Sequence, residues 1–133
     1  MRAEVSPAEL RALRGIADIT FISGAAQMLK PELLLGELSR DRDALSRHLF
    51  GTVGMFMAVS GGTLHRALAV PVPDRRLLRW AALQKLGAST AVCIGVSRRL
   101  FARRALLVAA FDMASGLLCL AYSARLPSPS PET

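Results

Sequence analysis

The stretch Trp80–Gly95, WAALQKLGASTAVCIG, decides how the rest of the chain is read. It is apolar and rich in small residues, yet it carries Gln84 and Lys85 well inside a segment that otherwise reads as membrane-spanning. A lysine at that depth needs partners, because a lone charge facing lipid costs at least a few kcal/mol. The other apolar segments supply three candidates: Asp18, His65 and Asp112.

The bulk composition agrees with that reading. Hydrophobic residues make up 52% of the 133 residues and the mean hydropathy is +0.36, above the usual apolar share of a soluble domain. Aromatic residues are only 5%, so small residues fill the apolar segments, as in membrane helices that associate by close backbone packing. The net charge is +7. The arginines fall almost entirely between the apolar segments, which points to headgroup contact and topology. No basic and aromatic residues interleave as a base-stacking surface would require, and no nucleic-acid partner is expected. Cys93 and Cys119 both lie in apolar segments, near opposite membrane faces. They are expected to be small packing residues, too far apart for a disulfide.

Four apolar segments, at about residues 8–29, 45–70, 77–97 and 103–124, are each about 20 residues long and can cross roughly 30 Å of hydrocarbon as helices. Ser6 as N-cap, Pro7 at the first helical position and Glu9 three residues after the cap start the first helix. Lys30-Pro31 ends it. Arg11 and Arg14 ahead of an apolar run ending in Gly24-Ala25-Ala26 have the layout of a signal peptide, but Asp18 inside the run and three further spans argue for a retained helix. Pro31-Glu32-Leu33-Leu34-Leu35 reads as a short interfacial helical turn, and Arg40-Asp41-Arg42-Asp43 as a solvated charge run. Residues 1–126 are expected to form one membrane domain. The alternating Pro and Ser of residues 127–133 cannot build a core and read as a disordered tail.

The fold expected is all-α: a membrane-embedded, antiparallel, up-down four-helix bundle with both termini on one side. Gly51, Gly54, Ala58, Gly61 and His65 recur at three- and four-residue steps and so share a helical face. Ala81, Lys85, Ala88, Val92 and Gly95 repeat that spacing, with Gly87, Ala91 and Gly95 as a second small-residue stripe beside them. Ala105, Ala109, Asp112, Gly116 and Cys119 form the matching face of the last helix. Trp80 and Tyr122 fall where interfacial anchors belong, and His48 opens the second span at the opposite interface. Basic residues balance across the two sides, so the positive-inside count gives no orientation. Cytoplasmic termini in the inner (plasma) membrane are the expectation, since neither end then needs translocation.

By depth along their helices, Asp18, His65, Lys85 and Asp112 fall within about 10 Å of a common level. The expected arrangement is a Lys85–Asp112 pair with Asp18 and His65 nearby and Gln84 as a supplementary donor. Three roles stay open for this cluster: fixing helix register, a proton or substrate path, or a pocket for a ligand such as a quinone head. One histidine and two aspartates could ligate a metal, but the lysine among them supplies competing charge, and no HExxH or paired-cysteine spacing occurs. No catalytic residue, metal or cofactor is expected.

Three stretches, Leu49–Leu68 (LFGTVGMFMAVSGGTLHRAL), Trp80–Gly95 and Phe111–Tyr122 (FDMASGLLCLAY), resemble small bacterial four-helix integral membrane proteins, similar in layout to the DoxX-like proteins. The resemblance spans about Gly15 to Tyr122. It implies the bundle fold and assigns no activity and no ligand residue. The function expected is that of an accessory or interaction subunit, as a homodimer or with a membrane partner subunit. The alternatives are a small proton-coupled transporter using Asp18 or Asp112, and a redox or lipid-soluble-ligand protein with a site near Lys85 and His65.

Overall fold

Proline and short polar caps punctuate the chain into helices. The computed structural model describes residues 6–38 and 43–126. Its order is α1 (Pro7–Leu29), α2 (Pro31–Leu38), α3 (Ala44–Ala69), α4 (Arg75–Ser97) and α5 (Ala105–Arg125), with no β-strand among the described residues. Each long helix begins and ends within a turn of the apolar segment that predicts it. The Met1–Val5 lead-in, Arg40–Arg42 of the charge run and the Pro/Ser tail from Pro127 lie outside the described residues.

The helix starts follow capping chemistry. The Ser6 hydroxyl accepts the Ala8 N–H with Pro7 at the first helical position. Glu9 does not complete a capping box. Its carboxylate accepts from Arg125 at 2.6 and 2.7 Å and ties the start of α1 to the end of α5. Asp43 caps α3 by accepting the Ser46 N–H at 2.6 Å, and Asp74 caps α4 by accepting the Arg76 N–H at 2.7 Å. The Ser46 hydrogen bonds, helped by the positive charge of Arg47, hold the Asp43 carboxyl below its ordinary 3.8. The cap therefore stabilises α3 fully above that value and stops doing so as pH falls through the lowered one.

The packing is antiparallel and pairwise. Moving up α1 from Arg14 through Asp18, Gly24 and Gln27 meets Leu68, His65, Ala58 and Phe50 in falling order along α3. Likewise Ala82, Lys85 and Ser89 of α4 meet Gly116, Asp112 and Ala109 of α5. Glycine makes the α1–α3 approach possible. A Cβ on Gly24 would lie 2.5 Å from the Ala58 nitrogen and 2.7 Å from the Gly54 oxygen. One on Gly54 would lie 2.6 Å from the Met28 nitrogen. Gly61 presses in the same way on Ala17 and Phe21.

The two helix pairs meet at the end where α1 begins and α5 finishes. There Leu13 and Ala17, Leu64 and Leu68, Leu78 and Ala82, and Cys119, Tyr122 and Leu126 form one buried core to which all four long helices contribute. At the other end α2 bridges to the α4–α5 turn: the Ala102 N–H donates to the Leu38 carbonyl at 2.8 Å and Arg104 pairs with Glu37. The turn itself passes through Arg99 at φ 62° and lays the Phe101 ring over Gly95.

Several expected faces are relocated. Tyr122 is not an interfacial anchor; it is 3% exposed in the core, because the α5 small face continues onto it. Trp80 is exposed, as an anchor would be. A Cβ on Gly87 would meet nothing within 4 Å and Ala91 is exposed, so these two members of the stripe face outward, while Gly95 lies under the Phe101 ring. The buried face of α4 is Leu78, Ala82, Lys85, Ser89 and Gly95. Among the described residues only α5 is long and apolar enough by length and composition to cross a membrane, against the four such helices expected.

The glycine contacts make a direct prediction. Gly54→Leu or Gly24→Leu should lower stability by about 3 kcal/mol, since backbone rather than a flexible side chain blocks the new atoms. Gly87→Leu should change it little. Thermal unfolding of the three variants in one solvent checks the contrast.

Candidate functional site

Lys85 sits on the inner face of α4, one turn from Ala82 and one from Ser89. Its Nζ donates to Asp112 Oδ1 on α5 at 2.7 Å, with the two side chains 3% and 10% exposed. The ammonium also lies 5.1 Å from the centroid of the Phe111 ring, whose π-face favours a cation. Gly116 lets the helices close at this level: a Cβ there would meet Leu86 at 2.8 Å. The neighbouring hydroxyls satisfy themselves on backbone. Ser89 Oγ donates to the Ala109 carbonyl at 2.8 Å, crossing between the helices, and Ser115 Oγ donates to the Phe111 carbonyl at 2.6 Å.

Asp18 and His65 form a second pair across α1 and α3, with Asp18 Oδ1 and His65 Nδ1 2.6 Å apart. About half of each side chain is exposed, 53% and 50%. The expected gathering of all four groups inside does not occur. Asp18 is one position off the buried α1 face of Leu13, Ala17, Thr20, Gly24 and Gln27, and so lies at the edge of the seam. No hydrogen bond or ion pair among the described residues joins the two pairs. Gln84 is not a donor to Lys85–Asp112 either. It is exposed, and its Oε1 accepts from Ser60 of α3 at 3.3 Å.

The α1–α3 seam carries two further polar links that the placement of charges along the chain does not announce. Buried Gln27 donates to the Phe50 carbonyl at 2.8 Å. The Arg14 guanidinium donates to the Leu68 carbonyl at 2.9 and 3.3 Å, satisfying an acceptor in the last turn of α3. Residue spacing does carry a signal for the first of them: Leu13, Ala17, Thr20, Gly24 and Gln27 step by four and three. Asp18 draws attention to the wrong edge of that helix.

Chemically, Lys85–Asp112 is a desolvated ion pair whose charges are matched and largely shielded from solvent. Asp18–His65 is an accessible carboxylate–imidazole pair that leaves the imidazole Nε2 outside the shared contact. Among the described residues no group of three His, Cys, Asp or Glu side chains is placed to hold a metal ion. Both cysteines are free thiols, Cys93 exposed and Cys119 buried. Comparison with protein families, with curated proteins and with solved structures finds no match to this chain.

The two pairs should respond differently to truncation. Lys85→Met or Asp112→Leu alone should cost about 3–5 kcal/mol, because each leaves a buried charge without its partner, while the double variant should recover most of that loss. Asp18→Asn should cost no more than about 1 kcal/mol, as expected of an exposed pair. Unfolding measurements on the four variants and the parent test both statements.

Proposed function

We propose that the chain is an integral membrane protein, a four-helix bundle that crosses the inner (plasma) membrane four times and serves as an accessory or interaction subunit. The observation that carries this reading is the extent of apolar surface left exposed while polar side chains are buried. Large apolar residues point outward on every long helix: Ile22 at 65% exposed, Phe56 at 64%, Leu83 at 59% and Leu107 at 76%. Besides the leucine core at one end, the interior holds small and polar residues, with Thr20, Lys85, Ser89, Asp112 and Ser115 buried. A water-soluble domain buries its large apolar side chains and limits contiguous exposed apolar surface. A membrane protein gains nothing by hiding them from lipid and associates its helices through small and polar residues.

The composition of α1 and α4 fits the same reading. Their polar residues lower the average hydropathy, yet Lys85, Thr20 and Gln27 turn inward. A spanning helix satisfies its backbone internally and tolerates such groups when they are paired inside. The DoxX-like layout, whose three stretches fall on α3, α4 and α5, supports the bundle as part of this proposal. A subunit role is favoured over transport through Asp112, because that carboxylate is held by Lys85 and is only 10% exposed.

Site-directed labelling tests the reading. In a Cys93→Ser, Cys119→Ala background, a cysteine introduced by Val59→Cys should resist a membrane-impermeant maleimide in intact membranes and react only after detergent is added. One introduced by Arg104→Cys should react from one side of the membrane without detergent. The chain should stay in the membrane fraction at high pH. Recovery in the aqueous fraction, or full labelling at position 59 without detergent, would overturn the proposal.

A further inference from the structure

Where the end of α1 passes the first turns of α3, the surface opens into a groove of about 400 Å³ lined by Met28, Pro31, Glu32, Arg47, His48, Gly51, Thr52 and Met55. Its chemistry is divided. Met28 and Met55 present flexible apolar walls. Glu32 projects from the first turn of α2, and Arg47 and His48 from the first turns of α3. Neither the Glu32 carboxylate nor the His48 imidazole has a hydrogen-bond or ion-pair partner among the described residues. Glu32 and Arg47 give the groove lining both signs of charge. Resting on the membrane reading, this groove lies at the end of the bundle where hydrocarbon gives way to headgroups.

We propose that the groove seats a phospholipid whose headgroup carries a primary ammonium, a phosphatidylethanolamine. Its phosphate lies against Arg47 and His48, its ammonium donates to Glu32, and its first acyl carbons run between Met28 and Met55. Three features select this occupant. The separate acid and base match a zwitterion, whereas an anionic headgroup would meet the carboxylate of Glu32 with no group to offset it. A primary ammonium can donate to a carboxylate, giving a charge-assisted bond that a quaternary choline cannot form. No Phe, Tyr or Trp ring lines the groove to receive a choline by cation–π attraction.

Gly51 gives a way to close the groove without disturbing the helices. A Cβ there would meet Met28 O at 3.7 Å and Pro31 Cγ at 3.9 Å, ordinary contact distances, unlike those at Gly54. The test is native mass spectrometry of the full chain in detergent micelles supplied with equimolar dioleoyl phosphatidylethanolamine, phosphatidylcholine and phosphatidylglycerol. The expected result is about a five-fold excess of the ethanolamine adduct over each of the others, as one charge-assisted hydrogen bond would produce. Glu32→Gln should reduce that excess to parity with choline, and Gly51→Leu should abolish it with helix content unchanged by circular dichroism. Should Gly51→Leu lose helix content, the exposed Glu32→Gln change decides alone. Equal adducts in the parent, a preference for the glycerol headgroup, or an ethanolamine excess that survives Glu32→Gln would overturn the site. The membrane reading fails separately, by recovery of the chain in the aqueous fraction before any lipid is added, and the site falls with it.

Discussion

An ammonium withdrawn from water costs several kcal/mol unless a carboxylate and further polar or polarisable groups meet it. Lys85 imposes that constraint on half of this molecule. Its partner Asp112 lies on the next helix in the chain, and the two can touch only when α4 and α5 run antiparallel in one register. Gly116 allows the backbones close enough for a 2.7 Å contact, and Ser89 adds a hydrogen bond across the same interface. A slip by one turn would leave both charges buried and unmatched. The pair therefore sets the alignment of α4 on α5, and the rest of that interface, from Ala105 to Cys119, packs around it.

The α1–α3 pair reaches the same end by a different route. Three glycines bring its backbones together, and the polar links Arg14 to Leu68, Asp18 to His65 and Gln27 to Phe50 lie along one seam at falling α3 positions. The first pair is aligned by a desolvated charge and the second by shape with exposed or backbone-directed bonds. The two pairs join through the core around Leu13, Leu68, Leu78 and Tyr122 at one end and through α2 at the other. Between those joints α3 and α4 touch through the Ser60–Gln84 bond, beside a groove of about 250 Å³ walled by Trp80 and Leu77.

Much of the helical layout was legible in the sequence because helix ends are written in local chemistry. Ser6-Pro7, Lys30-Pro31 and Pro71-Val72-Pro73-Asp74 restrict backbone angles or supply caps within a few residues, so no distant partner is needed to read them. Asp43 is the exception: in a run of alternating charges its capping role was indistinguishable from solvation. The facing of Lys85 and Asp112 was legible too, since each lies on a small-residue face at helical spacing. Gly87 and Ala91 show the weakness of that signal. Small residues at four-residue steps occur on the outward face of α4 as well, and nothing local separates a seam that meets a neighbour from one that does not. Gly24, spaced just as regularly with Gln27 and Thr20, does meet one.

By itself the sequence determined the helical class, the positions of the four long helices, and the need of Lys85 for a carboxylate, because capping, proline stereochemistry and charge desolvation act on a residue and its near neighbours. Only the tertiary structure decided the surroundings of the Lys85–Asp112 pair. His65 turns to Asp18 at the surface, Gln84 turns to Ser60, and the Tyr122 ring goes into the core. Those choices depend on which helices lie side by side and on the rotation of each about its axis, and a rotation of about 100° per residue moves a side chain from interior to edge within one step of sequence.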